Sequence, residues 1–159
     1  MNKIYLLTGS NMGDSMNQLK KAAASVEKEI GKISRYSNIY QTAAWGMTDQ
    51  PDFLNQVLVV ESGCTASQTM QKILAIEKKM GRIRTVKNAP RIIDIDILYF
   101  GKEIIREKDL VIPHPAIPQR RFVLVPLNEL SPQFIHPALN ISNHRLLMKC
   151  PDKLDVKKK

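Results

Sequence analysis

The apolar positions of this chain change period several times, and each change marks an element. Residues 3–8 (Lys-Ile-Tyr-Leu-Leu-Thr) are nearly continuous in apolar character, the pattern of a buried strand. Residues 9–14 (Gly-Ser-Asn-Met-Gly-Asp) predict a turn. Met16, Leu19, Ala23, Val26 and Ile30 then recur at helical spacing, and the stripe stops at Gly31. Residues 32–41 and 53–61 read as a second and a third strand, separated by a long loop at 42–52. Thr65 and Gln68 fit a capping box that opens a second helix. Met70, Ile73, Leu74 and Met80 form its apolar face, and Gly81 ends it. A basic loop at 82–90 leads into a β-branched strand at 91–100, and Gly101-Lys102 predicts a hairpin turn into 103–106. The order is βαββαβ. It predicts an α+β fold of the ferredoxin-like sandwich type, a mainly antiparallel sheet with helices packed on it.

Beyond residue 106, Pro113, Pro115, Pro118, Pro126 and Pro132 argue against long regular elements. This C-terminal extension is expected to hold only short helical pieces, near 119–124 and 142–149. With no repeat, low-complexity tract or linker in view, one domain over residues 1–159 is expected, its last few residues disordered.

The strand at 91–100 reads Arg-Ile-Ile-Asp-Ile-Asp-Ile-Leu-Tyr-Phe. Side chains alternate along a strand, so Asp94 and Asp96 share one face while Ile93, Ile95 and Ile97 share the other. Two adjacent carboxylates on an apolar strand repel each other and are costly to half-bury. A hard divalent cation resolves that cost. Arg82, Arg84 and Arg91 stand just upstream, and arginine forks bind phosphate oxygens in pairs. Carboxylates and arginines together point to a metal-bound polyphosphate. The chain has no Gly-x-x-x-x-Gly-Lys-Ser/Thr, so this is not a P-loop site. On the acceptor side, parity puts Phe53 and Asn55 on one strand face. With Trp45 and Phe122 they offer aromatic stacking beside a carboxamide, a slot for a flat heterocycle. His114 is held between Pro113 and Pro115, and no Ser or Cys nucleophile with a neighbouring base announces itself.

Composition changes this picture little. The chain has 159 residues, 43% hydrophobic and 25% charged, as in an ordinary globular protein. No apolar run is long enough to span a bilayer, and no signal or transit peptide is read at the start. Cys64 and Cys150 are far apart and lack metal-ligand spacing, which fits free thiols in a reducing cytoplasm. The net charge of +9 suits any anionic partner, and Lys157-Lys158-Lys159 supplies part of it as an expected frayed tail.

Several segments then match one family in order. They are Gly9-Ser-Asn11, Tyr40-Gln-Thr42, Asp49-Gln-Pro-Asp-Phe-Leu-Asn55, Glu77, Gly81-Arg-Ile-Arg84, Pro90-Arg-Ile-Ile-Asp-Ile-Asp-Ile-Leu98, Ile112-Pro-His-Pro115 and Arg120-Arg-Phe-Val-Leu-Val-Pro-Leu127. The chain resembles hydroxymethyl-dihydropterin pyrophosphokinase of folate biosynthesis. The resemblance implies transfer of pyrophosphate from ATP, the co-substrate, to the hydroxymethyl group of a dihydropterin, with release of AMP. By that likeness Asp94 and Asp96 hold two Mg2+ ions, and Arg82 and Arg91 neutralise the transferred group. Glu77, Arg84, Ile97 (through its backbone), His114 and Arg120 line the ATP site. Phe53 and Phe122 sandwich the pterin, while Asn55 and the backbone of Thr42, Ala44 and Trp45 read its edge. The chain departs from familiar members in Ala43-Ala44, where Pro-Pro is usual, and in Phe53, which stands for Tyr. A cytoplasmic monomer is expected, acting on two small molecules without nucleic acid or membrane.

The competing reading is a non-enzymatic, basic RNA-binding module of the same fold. Such sheets present aromatic residues on adjacent central strands for base stacking. Here the matching face carries Asp94 and Asp96, which repel a phosphate backbone.

Overall fold

The computed structural model describes residues 1–44, 49–83 and 90–159. Strand β1 (Asn2–Ser10) runs two residues further than the sequence pattern predicts, so Gly9 and Ser10 belong to the sheet rather than to a turn. Helix α1 is Ser15–Glu29, β2 is Lys32–Tyr36, β3 is Tyr40–Thr42 and β4 is Phe53–Ser62. Helix α2 (Ala66–Lys79) opens with the expected capping box of Thr65 and Gln68. Strand β5 is Asp94–Phe100. The main sheet runs β5-β1-β4-β3-β8, where β8 is Lys157–Lys158, with β2 also paired to β4, and every pairing is antiparallel. The βαββαβ order holds, with the second strand of the motif divided into β2 and β3.

The sheet is covered on both faces, which explains why β1 reads as one continuous apolar run. Ile4 and Leu6 of β1 pack with Leu58, Val60, Ile95 and Ile97 against Leu19 and Val26 of α1 and Ile73 and Ile76 of α2. Tyr5 and Leu7 face the other way, with Val57, Val59, Leu98 and Tyr99. That second face is closed by α3 (Arg121–Leu130) and α4 (Asn143–Lys149), through Val123, Leu124, Leu127, Leu130 and Leu146. A bulge makes the switch possible. Tyr5 pairs with Tyr99 and Leu6 with Ile97, so Leu98 is an extra residue in β5. Leu98 and Tyr99 therefore lie on one face, and Asp94 and Asp96 keep that same face further along the strand.

Four expectations need correction. Residues 103–106 do not return onto β5; β6 (Ile105–Glu107) pairs with β7 (Leu110–Ile112) in a separate two-stranded sheet. Pro126 does not interrupt a helix; it sits inside α3, where one buried apolar face outweighs one missing backbone donor. Met16 and Leu74, assigned to buried stripes, are 37% and 44% exposed. The terminal lysines are not frayed either. Lys157–Lys158 form β8 against β3, and the Lys159 N–H donates to the Ile39 carbonyl at 2.8 Å. Their side chains point to solvent, but the backbone meets an otherwise open strand edge. Among the described residues no helix is long and apolar enough to cross a membrane.

Candidate active site

Asp94 lies at the start of β5, where the strand emerges from the core between two arginines. Arg82 Nη1 donates to Asp94 Oδ1 at 2.8 Å and to Glu77 Oε2 at 2.7 Å, and Arg91 Nη1 donates to Asp94 Oδ2 at 2.9 Å. Glu77 comes from the last turns of α2 and is buried; its Oε2 also accepts the Ile95 N–H at 2.8 Å. The glutamate thus pins the end of α2 to β5 and holds Arg82 beside the aspartate. Asp96 is different. Burial, with the carboxylates of Asp94 and Glu77 beside it, pushes its pKa from 3.8 up to about 7, against smaller opposing effects from Arg82 and Arg120. The surroundings thus disfavour the ionised form of Asp96, a cost that a bound cation would relieve.

On this side, α2 and the strand ends form a cleft of about 280 Å³, lined by Met70, Ile73, Leu74, Glu77, Arg82, Arg91, Asp94, Ile95, Asp96, His114 and Arg120. Exposure of Leu74 follows from its place on this wall. His114 is held by its own N–H to the Leu98 carbonyl at 3.0 Å, and its Nδ1 accepts the Ala116 N–H at 3.1 Å. Burial, reinforced by Arg120, keeps the imidazole below the usual histidine range, so it is neutral at pH 7.

A second, narrower slot opens on the other side of the same aspartates. Leu7, Gly9, Thr42, Ala43, Phe53, Asn55 and Phe122 line it, together with Arg91, Asp94, Asp96 and Arg120. The sheet register explains the gathering: Asp94, Gly9, Asn55 and Tyr40 are cross-strand neighbours over four strands, and Phe53 pairs with Thr42. Gly9 is indispensable to it. A Cβ built there would meet Asn55 Oδ1 at 2.6 Å, so only glycine leaves room for the buried carboxamide. Asn55 Nδ2 donates to Thr42 Oγ1 at 3.3 Å. Each aromatic wall has an arginine near it: Arg91 Cζ lies 6.0 Å from the Phe53 ring centroid and Arg120 Cζ lies 5.7 Å from that of Phe122. The two clefts therefore share Arg91, Asp94, Asp96 and Arg120.

Ala44 is buried but does not line the slot, whereas its neighbour Ala43 does. The Ile97 side chain is in the core, which leaves only its backbone for any ligand. Trp45 and Arg84 fall outside the described residues. Sequence reasoning passed over Asn11 as a site residue. Its Oδ1 accepts the Arg91 N–H at 2.9 Å, and its Nδ2 donates to Gln50 Oε1 at 2.6 Å and to the Pro51 carbonyl at 3.1 Å. Its own N–H donates to the Arg91 carbonyl at 3.1 Å. One asparagine therefore ties the backbone of Arg91 to the chain entering β4. The signal was its place in the Gly-Ser-Asn motif, which says nothing about partners 39 to 80 positions away.

The family model described as 7,8-dihydro-6-hydroxymethylpterin-pyrophosphokinase (HPPK) matches residues 5–132. The chain belongs to this family. A relative from Aquifex aeolicus, named 2-amino-4-hydroxy-6-hydroxymethyldihydropteridine pyrophosphokinase, is 41% identical over 137 residues, 86% of this chain and 85% of that protein. The Folic acid synthesis protein FOL1 of Dictyostelium discoideum is 37% identical over 151 residues, 95% of this chain but 23% of that much longer protein. A Plasmodium falciparum chain solved as HPPK-DHPS wild type with SDX-DHP superposes with a TM-score of 0.75 at 21% identity, over 94% of this chain and 43% of that one. That likeness shows a shared fold. The HPPK match takes in every candidate residue from Thr42 to Phe122 and leaves residues 133–159 beyond it.

Proposed function

We propose that this HPPK-family chain transfers the β,γ-pyrophosphoryl group of ATP to the hydroxymethyl oxygen of 6-hydroxymethyl-7,8-dihydropterin, releasing AMP, in folate biosynthesis. The observation that carries the reading is the meeting of two clefts, one polar and one aromatic, on the face of β5 that bears Asp94 and Asp96. The polar cleft takes ATP, with His114 and Arg120 on its wall and Arg84 and the Ile97 backbone as further contacts. The aromatic slot takes the pterin between Phe53 and Phe122, with Asn55 and the Thr42–Trp45 segment reading its edge.

The donor set suits Mg2+. Asp94 and Asp96 are hard carboxylates on one strand face, and Asp96 is held at high cost by its neighbours. Among the described residues no three His, Cys, Asp or Glu side chains are placed to hold a metal ion together, so the remaining coordination would fall to phosphate oxygens and water. Mg2+ is usually held in this way. Two ions bound there would supply the positive charge that lets carboxylates and polyphosphate share the site.

The protein's own residues do the positioning. The pterin oxygen attacks the β-phosphorus, the bond from that phosphorus to the oxygen bridging the α-phosphate breaks, and AMP leaves with that oxygen. Arg82 and Arg91, already aimed at Asp94, neutralise charge on the transferred group. The slot holds the hydroxymethyl group toward the aspartates, so approach and orientation are set before reaction. No side chain is assigned to take the hydroxyl proton.

Incubation with ATP, Mg2+ and the hydroxymethyl-dihydropterin should yield AMP and the pterin diphosphate; ADP as product would refute the proposal. The RNA-binding reading loses its footing, because the sheet surface such modules use is buried here under α3 and α4. The proposal places the reaction in the cytoplasm and takes the active species as a monomer, which light scattering during gel filtration tests.

A further inference from the structure

Helix α3 carries one wall of the acceptor slot but has no cap of its own. Its N-cap position is Arg120, whose side chain makes no capping hydrogen bond. The first helical N–H, of Arg121, instead donates at 2.9 Å to Oδ2 of Asp152, 31 positions away. The Arg121 guanidinium also reaches the Leu154 carbonyl at 3.4 Å, and Asp152 Oδ1 accepts the Leu154 N–H at 2.9 Å. A negative side chain at this end also suits the helix dipole. The two residues flanking Arg121 are Arg120 and Phe122, both on the slot wall.

From Asp152 the chain runs on without regular secondary structure as far as Lys157. Asp152, Leu154 and Val156 are half-buried, while Lys153, Asp155 and Lys157 between them are exposed, a period of two. The run ends on β3. Lys157 pairs with Gln41, Lys158 with Tyr40, and the Lys159 N–H with the Ile39 carbonyl. Strand β3 ends at Thr42, and Thr42 and the next residue, Ala43, line the same slot as Phe122.

We propose that residues 152–159 are a strap that sets the separation of the two slot walls, with Asp152 as the positioning residue for Phe122. The strap lies beyond residues 5–132, the stretch that the family model matches, and lines neither cleft. Near its C-terminal end α3 is already tied to β3, where the Tyr40 hydroxyl donates to Glu129 Oε1 at 2.7 Å; the strap adds a second tie, at the end of α3 that carries Phe122. This inference rests on the assignment of the slot to the pterin.

Steady-state AMP release with each substrate varied in turn tests it. Asp152→Ala should raise the KM for the pterin about fivefold, the size expected from loss of one helix cap, with kcat nearly unchanged. Asp152→Asn retains an acceptor for the Arg121 N–H and should restore most of the pterin affinity. A chain stopped at Val156 leaves Asp152 in place and releases β3; it too should raise the pterin KM. If Asp152→Ala does not fold, the other two variants decide. Lower melting temperatures with an unchanged pterin KM would overturn the proposal, leaving the strap a purely structural element. A wild-type protein that releases no AMP would instead refute the proposed function, and the strap's role with it.

Discussion

Replacing Asp96 with asparagine should make the metal-free protein more stable while abolishing its activity. Asp96 is half-buried beside Asp94 and Glu77, and its pKa rises from 3.8 to about 7. The unfolded chain ionises this group near pH 4 and the folded protein only near pH 7. Folding therefore takes up a proton between those values, and stability falls as pH rises from about 4 to 7. Three pKa steps at about 1.4 kcal/mol each set an upper limit of about 4 kcal/mol, and relaxation of the site brings the expected cost to roughly 2–4 kcal/mol. For a chain of this size that corresponds to about 5–10 °C in melting temperature. Asparagine has the same shape and no charge to lose. In EDTA at pH 8, Asp96→Asn should therefore melt about 5–10 °C above wild type, and the gap should narrow steadily toward pH 4. Saturating Mg2+ should also narrow it by stabilising wild type alone, by about 3 kcal/mol at a hundredfold excess over Kd. Calorimetry over pH 4–8, with and without Mg2+, reads all of this. A variant no more stable than wild type at pH 8, or a gap that widens in acid, would refute the idea that Asp96 is held charged at the expense of the fold.

Three further substitutions test the geometry. Gly9→Ala drives a methyl group into Asn55 Oδ1 at 2.6 Å, so the pterin KM should rise about tenfold and the ATP KM little; equal effects on both would refute the slot assignment. Asn11→Ala removes three side-chain hydrogen bonds from a buried position and should lower stability by about 2–4 kcal/mol, with kcat/KM falling for both substrates; an unchanged melting curve would show that the brace is unimportant. Phe122→Ala removes one stacking wall and should weaken the pterin about tenfold in a fluorescence titration, with ATP binding intact as the control.

Much of the fold was legible because its signals are local. The capping box at Thr65 and Gln68, the helical stripe through Leu19 and Val26, and the strand parity of Phe53 and Asn55 each lie within a few residues. The misreadings share a cause. Gly9 reads as a turn residue because glycine usually is one, but here it makes room for a side chain on the neighbouring strand. Pro126 reads as a breaker, but the packing of α3 on the sheet is stronger than the local preference. Leu98 gives no sign that it is a bulge, since the shift exists only relative to Tyr5 and Leu6.

The candidate site divides in the same way. Strand periodicity alone determined that Asp94 and Asp96 would share a face, and the residue types beside them pointed to a metal-bound polyphosphate. The chain's own order of motifs then named the family. What those carboxylates experience was decided only by the tertiary structure. Glu77 arrives from α2 and Arg120 from the start of α3; burial, with the carboxylates of Asp94 and Glu77, raises Asp96 to about 7 against the opposing charges of Arg82 and Arg120. The same holds for Asn11, and for the strap at Asp152 that reaches back 31 positions to α3. Periodicity records which way a side chain points along its own element. Burial, repulsion and bracing depend on residues far away in the chain, and they exist only once the sheet has been covered on both faces.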